Sequence, residues 1–597
     1  MELLTLDGVI EKGVFEIPSY QRGYAWQIRQ LKDFWNDLEH VSKLGNQFHY
    51  MHSLTLRGLE NELEDSAFEI IDGQQRLATS LILLGLLAKT TKHKDPKYDS
   101  INLEPILSYK YYGLSEAFRA IMGEEKDLEA FKTSFYAKNL IEAYAFFQEK
   151  ISDTPMETLE KMFDALTKKM LFSVVELNDN RIDPFSSFET INNRGKDLST
   201  LELLKNRLHF VAHKICDEED LENLQQEIND TYTRIYHDLR QFEDDHLESF
   251  LKHFVAYYYG ENSKFKERLL DTAFDAHKKY DDLYDEYEKI NDLLLYLSYS
   301  SKVWYFLRTL DDEELRIEIT PKMRGLLDKM WRLNDLSDNA FLPLLLSLLT
   351  IQLAVRSGSE RHYTAQELED LLEYLERFGF LIYGVAGKNT AKNEWIGLAF
   401  KAIQACRFWE DKITIEDLPP LEKHFFNKQN NSALELLEEN IHSKKNTEKW
   451  YQWGKALNYL LYEYELHHNP ETTLNFDSSI ESIEHILPQK PDQGYSAKEK
   501  SWAKNPHIVH ALGNLLLIPK NANSSLSNKP FEEKRKAYLK GSYSEKEVAK
   551  NASFGITEIQ QRSEKLLDFL IAHYCIAELV GESAIKAFKN ALLKDIE

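Results

Sequence analysis

The chain has 597 residues, of which 43% are hydrophobic, 12% aromatic and 29% charged. That length exceeds one compact core, and the apolar content excludes wholesale disorder. Lys and Arg total 73 against 98 Asp and Glu, a net charge of −25, which excludes a protein that coats DNA with a basic surface; any nucleic-acid contact must be local.

Cys216, Cys406 and Cys575 are odd in number and far apart, so neither a disulfide framework nor a CxxC metal knuckle can be built from them. The opening residues lack the basic stretch and apolar run of a secretion signal. The most apolar runs, Leu77–Ala88 and Phe341–Val355, fall short of the roughly 20 residues that span a bilayer. The expectation is a soluble, cytoplasmic chain with no membrane partner.

In chain order, Gly13 and Pro18 bracket a strand at Val14–Ile17. Leu31, Phe34, Trp35, Leu38 and Val41 fall at the spacing of an amphipathic helix over Ile28–Leu44. Phe68–Ile71 reads as a buried strand, the turn Asp72-Gly73 follows, and Arg76–Lys89 reads as an apolar helix. Leu171–Leu177 is a second Val- and Phe-rich strand, and a helix starts near Ser199 or Thr200 with Glu202 in its first turn. Residues 217 to about 445 are helical by period, with an acidic stretch at Asp217–Glu248 and no fixed repeat. Beyond them come a helix at Trp450–Glu465, strands at Ile480–Leu487 and Leu515–Ile518, a helix from about Asn521, and another opened by Pro530.

Chemistry concentrates at two places. Near the C-terminus, Glu484 and His485 sit on a short strand ended by Pro488. Asn514 lies 29 residues on, and Asn523 starts a helix. Hydrolysing a phosphodiester needs a base, a cation for the developing charge and groups that orient both. Histidine suits the base near neutral pH, an Asn carbonyl can hold its tautomer, and a carboxylate with an amide oxygen suits Mg²⁺ or Mn²⁺. From His485 to Lys550 twelve Lys and Arg face six Asp and Glu, so this segment is +6 and the remainder −31. His507 and His510 read as DNA-facing or structural, with no assigned role.

Near the N-terminus, Asp72, Gly73, Gln74, Gln75 and Arg76 stand at the mouth of a helix, where free N–H groups favour phosphate and Arg can pair with it. Tyr20, Gln21 and Arg22 add a polar cluster after Pro18, and Asn192, Asn193 and Arg194 fall in a third motif, Phe188–Leu208, with Lys205. By themselves these residues support an anion-binding turn or a structural Arg–Asp pairing. Tyr20, Tyr24 and Trp26 suit stacking on a base or a place in the core. No GxxxxGK[ST] loop is present.

The run EHILPQ…LGNLLLIPKNANSSLSNKPFEEKRKAY resembles the HNH, or ββα-metal, nucleases, and more closely the HNH-type C-terminal domain of GmrSD-type modification-dependent restriction enzymes. The resemblance implies that His485 is the general base, Asn514 its orienting residue, and Asn523 and Glu484 metal ligands. Here Asn replaces the plain pattern's final His, and Glu its usual Asp. IPSYQRGYAW, IIDGQQRLATSLILL and FETINNRGKDLSTLELLKNRL, in that order, resemble the ParB-like DGQQR domain of the same enzymes. That resemblance implies nucleoside triphosphate (GTP or ATP) binding by Asp72, Gly73, Gln74, Gln75 and Arg76, with Tyr20, Gln21 and Arg22 nearby and Asn192, Asn193 and Arg194 completing the site.

The expected architecture is α+β and predominantly helical: a ParB-like domain over 1–215, a helical middle over 216–445 and an HNH-like nuclease domain over 446–597. The expected function is an NTP-regulated, divalent-metal-dependent DNA endonuclease of phage defence acting on foreign, modified DNA; a homo-oligomer is compatible with it. Two alternatives stand beside it: a regulatory or assembly protein with a degenerate HNH-like domain, and an RNA-directed or toxic nuclease.

Overall fold

The computed structural model describes all residues except 1, 46, 60–66, 111–112, 124, 126, 178–197, 240–243, 262–263, 276–277, 279, 281, 314, 356–361, 409, 475–479, 492–493 and 597. The chain forms two compact units, Met1–Leu315 and Arg316–Glu597. The boundary after Leu315 falls inside the helical stretch 216–445.

The first unit carries a six-stranded mixed sheet: β1 (Glu2–Thr5), β2 (Val14–Ile17), β3 (His49–Gly58), β4 (Ala67–Asp72), β5 (Leu107–Tyr109) and β6 (Met170–Glu176), in the spatial order β1-β6-β3-β4-β2-β5. Strands β3 and β4 pair antiparallel; β2 runs parallel to both β4 and β5. Helix α1 (Ile28–Lys43) buries Leu31, Phe34, Trp35, Leu38 and Val41, the stripe its spacing predicts. Helix α2 (Gln74–Thr91) leaves β4 directly and is apolar on nearly every side, from Leu77 to Ala88, so it is a core helix. Helix α3 (Thr200–Ile215) begins with a capping box: Glu202 N–H donates to Ser199 Oγ at 3.3 Å, and Ser199 N–H donates to Glu202 Oε2 at 2.7 Å. Helices α4 (Glu218–Asp238) and α5 (Leu283–Thr309) pack beside it.

The second unit is helical around α6 (Leu342–Ala354), whose residues from Leu342 to Gln352 are all buried. Its only ladder among the described residues is an antiparallel ribbon of β7 (Glu481–His485) and β8 (Leu515–Pro519), in which Glu484 faces Leu516 and His485 faces Leu515. Helix α7 (Lys520–Leu526) follows β8 and packs across both strands, giving the strand, strand, helix order that the sequence suggests. Helices α8 (Phe531–Tyr538) and α9 (Ile556–His573) close over it. The turn before β8 is nailed to α9. Gly513 N–H donates to Ser563 Oγ at 2.8 Å, and Arg562 Nη1 donates to the carbonyls of Gly513 at 2.8 Å and Leu515 at 2.7 Å. A Cβ at position 513 would collide with the Ile559 carbonyl and lie 2.6 Å from Ser563 N, so only glycine allows this approach.

Candidate active site

His485 ends β7 and is 7% exposed. Its Nε2 lies 3.0 Å from Nδ1 of His510, which the turn before β8 brings against it. The Tyr451 ring packs on both imidazoles, with centroids 4.9 Å from His485 and 5.8 Å from His510. Gln489 Nε2 lies 3.4 Å from each nitrogen of the His485 ring. Burial, then the neighbouring His510 and Lys534, pushes the His485 imidazole down to about 3, and burial also lowers His510. Burial thus favours the neutral form of both rings, and a neutral pair shares one proton along this contact.

Asn514 is fully buried, and its amide is committed to the main chain. Its Oδ1 accepts from Leu487 N–H at 2.7 Å, and its Nδ2 donates to the carbonyls of Leu487 at 2.9 Å and Val509 at 2.7 Å. It thus ties the end of the β7 segment to the turn carrying His510 and does not itself hold the imidazole. The ring of His485 takes that contact from His510.

Glu484 also departs from its expected role. Its Oε1 accepts from Lys534 Nζ at 2.5 Å and from the Tyr538 hydroxyl at 3.1 Å, in a setting where the Lys534 side chain is wholly buried. Burial raises the Glu484 carboxyl and lowers the Lys534 ammonium, and their mutual attraction opposes both shifts. Asn523 Nδ2 donates to Ser482 Oγ at 2.8 Å and to the Ile483 carbonyl at 3.1 Å. A divalent ion held by Glu484 and Asn523 does not fit these side chains: an ammonium already sits on the carboxylate oxygen and would repel a second cation there. Among the described residues no group of three or more His, Cys, Asp or Glu is arranged to hold a metal.

In the first unit the glutamines of the DGQQR turn and of Tyr20-Gln21-Arg22 grip each other's backbone. Gln21 Nε2 donates to the Ile71 carbonyl at 3.1 Å and also to that of Ile70. Gln74 Nε2 donates to Arg22 O at 2.9 Å, Gln75 Nε2 donates to Gly23 O at 2.9 Å, and Ala25 N–H donates to Gln75 Oε1 at 2.8 Å. Tyr20, Gln21, Arg22, Gln74 and Gln75 are all buried. Tyr24 is core, its hydroxyl 2.7 Å from Thr79 Oγ1. Asp72 Oδ2 accepts from Arg76 Nη2 at 3.3 Å and Ser53 Oγ at 3.1 Å, and Arg76 Nη1 donates to Met51 O at 2.9 Å. Of the expected phosphate-binding set, the Asp72–Arg76 pair keeps partial exposure, while the amide nitrogens serve as a clasp. Asn192, Asn193 and Arg194 lie outside the described residues. Lys205, from the same motif, is buried on α3, and burial takes its ammonium down to about 7.

Gly73 makes the clasp possible. Its φ of +103° turns the chain from β4 into α2, and a Cβ there would lie 2.9 Å from Leu54 Cδ1 and 3.0 Å from Ser53 O. Gly73→Ala is expected to destabilise the first unit by roughly 2 kcal/mol or more. Thermal unfolding checks this; a melting temperature equal to wild type would contradict it.

A model of the GmrSD restriction endonuclease N-terminal domain matches residues 4–209, and one of the GmrSD restriction endonuclease C-terminal domain matches residues 436–569. Together they take in more than half of the chain. The chain belongs to the GmrSD restriction endonuclease family. A comparison with curated proteins finds no match. Family membership makes the coarse activity that of a restriction nuclease in defence against phage. The C-terminal GmrSD match contains the ribbon with Tyr451, Glu484, His485, His510, Asn514, Asn523 and Lys534; the N-terminal match contains the glutamine clasp and Lys205. No described helix is long and apolar enough to cross a membrane.

Sequence reasoning left His510 without a role and passed over Lys534. A signal for Lys534 was present: Phe531, Lys534 and Tyr538 recur at i, i+3 and i+7, one face of a helix, and all three are buried. Nothing in sequence spacing pairs His510 with His485.

Proposed function

We propose that this chain is a DNA endonuclease whose base is His485. The observation that carries the reading is His485, buried at the end of the ribbon and within hydrogen-bond distance of His510 through Nε2, inside the nuclease-family segment. In the tautomer that donates Nε2–H to His510 Nδ1, His485 Nδ1 is the acceptor position, now facing the Gln489 amide at 3.4 Å; an attacking water that displaces this amide gives its proton to Nδ1, whose basicity the anionic phosphate beside it raises. Asn514 holds the two chain segments that carry the imidazoles at a fixed distance. The DNA backbone is drawn in by exposed Lys490, Lys498, Lys500, Lys504, Lys520 and Lys529 around the ribbon and α7.

A nucleoside triphosphate regulates the enzyme from the first unit, where the partly exposed Asp72–Arg76 pair stands at the start of α2 and suits phosphate. A requirement for Mg²⁺ or Mn²⁺, held by groups other than Glu484 and Asn523, and a preference for modified phage DNA belong to the same reading.

Digestion of unmodified, hydroxymethylated and glucosylated DNA, with a matched RNA, tests it, with and without Mg²⁺ or Mn²⁺ and with and without GTP or ATP. The expected result is cleavage of modified DNA that needs the divalent ion and rises with nucleotide. RNA cut as fast as DNA would favour an RNA-directed nuclease, and no cleavage under any condition would favour a regulatory protein.

A further inference from the structure

The Glu484–Lys534 pair has features that a stabilising ion pair does not require. Lys534 has no solvent exposure, and all three of its ammonium protons have acceptors: Glu484 Oε1 at 2.5 Å, His485 O at 2.8 Å and Ile486 O at 3.3 Å. Burying such a pair costs desolvation, and an apolar pair of the same volume often holds a core as well. Two of the three acceptors are the main-chain carbonyls of His485 and of the residue after it. Tyr538, one helical turn beyond Lys534 on α8, donates to the same Glu484 oxygen at 3.1 Å and fixes the carboxylate from the other side.

We propose that Lys534 is a positioning residue of the nuclease site: held by Glu484 and Tyr538, it fixes the main chain at His485, and Glu484 serves this internal pair instead of binding a metal ion. This rests on the reading of His485 as the base. An ammonium bonded to the carbonyls of His485, the last residue of β7, and of Ile486 sets the rotation of the chain where the imidazole leaves it, and an ångström of drift there costs a base its alignment with water. Lysine suits the task because its compact head reaches three acceptors that a planar guanidinium does not match.

The test uses the full chain and three variants, Glu484→Gln, Lys534→Met and the double substitution. It has three readouts: Mn²⁺ binding followed by electron paramagnetic resonance, kcat and KM for DNA cleavage, and thermal unfolding. The expected result is Mn²⁺ binding by Glu484→Gln that matches wild type, with affinity within about threefold or with no binding by either protein, and kcat reduced about 100-fold with KM little changed in both single variants. The double variant regains melting temperature, because no unpaired charge is left buried, yet its kcat stays low because nothing holds the His485 carbonyl. Should a single variant not fold, the double variant carries the Mn²⁺ and kcat comparisons. Mn²⁺ affinity weakened about tenfold or more by Glu484→Gln would make Glu484 a metal ligand and overturn the proposal. Recovery of kcat together with melting temperature in the double variant would reduce Lys534 to a structural role and overturn it too. A wild-type protein that leaves DNA uncut would instead defeat the nuclease reading, and Mn²⁺ affinity would still decide the role of Glu484.

Discussion

Asn514→Leu is expected to lower the stability of the second unit by about 4 kcal/mol, a fall of roughly 10 °C in melting temperature. Leucine matches asparagine in heavy-atom count and branching but is bulkier, so some overpacking adds to a loss that is chiefly one of hydrogen bonds. Three buried main-chain groups lose their partners at once: Leu487 N–H, Leu487 C=O and Val509 C=O. Each unpaired buried group costs about 1–3 kcal/mol, and their shared origin keeps the total below a simple sum. Asn514→Asp is expected to be worse, because it retains the acceptor for Leu487 but turns a carboxylate oxygen toward two carbonyl oxygens. Thermal and urea unfolding measure both. An Asn514→Leu protein that melts with wild type but has lost cleavage would restore Asn514 to direct work on the imidazole.

The same residue shows how far the sequence was legible. Its place after a short turn and before an apolar strand was readable, since the apolar run Leu515–Ile518 must be buried. Its bonding partners did not follow, because they are main-chain groups 5 and 27 residues away whose approach is set by α9 through Gly513, Ser563 and Arg562. Strands β2, β4, β6, β7 and β8 were readable from apolar runs bounded by Gly, Pro or turn residues. Strand β3, HYMHSLTLRG, was missed because polar side chains interrupt its apolar alternation, including His52 and Ser53, and its pairing with β6 spans more than a hundred residues. The DGQQR turn was placed correctly at a strand-to-helix junction. Its glutamines suggest phosphate when read alone and prove to be backbone clasps, because an amide has both a donor and an acceptor for a main chain that passes within 3 Å. The boundary between domains was not readable: helical periodicity is the same on both sides of Leu315.

His485→Ala is expected to reduce the cleavage rate by about 10²–10⁴-fold, the usual worth of a positioned base. The protein should still fold, since the lost ring leaves a cavity beside Tyr451 and no unpaired charge. Acid sensitivity gives a second, independent readout. Because the folded protein holds the His485 imidazole near 3 while the unfolded chain takes up a proton near 6.5, the unfolded state binds the extra proton between those values. The contribution of His485 is therefore intact above about pH 6.5 and falls on acidification, by up to roughly 1.4 kcal/mol per pH unit, until its folded pKa is passed. The variant should lose less stability than wild type between pH 6.5 and 4. Parallel stability curves over that range would show that the ring is not held neutral.

The account depends on the ribbon of the second unit being the place where DNA is cut. Single-turnover digestion of phage DNA by wild type and His485→Ala, at matched fold by circular dichroism and with Mg²⁺ and GTP supplied, addresses that most directly. Fragments from wild type and intact DNA from the variant over the same time course are the predicted result; fragments appearing at equal rates from both would contradict it.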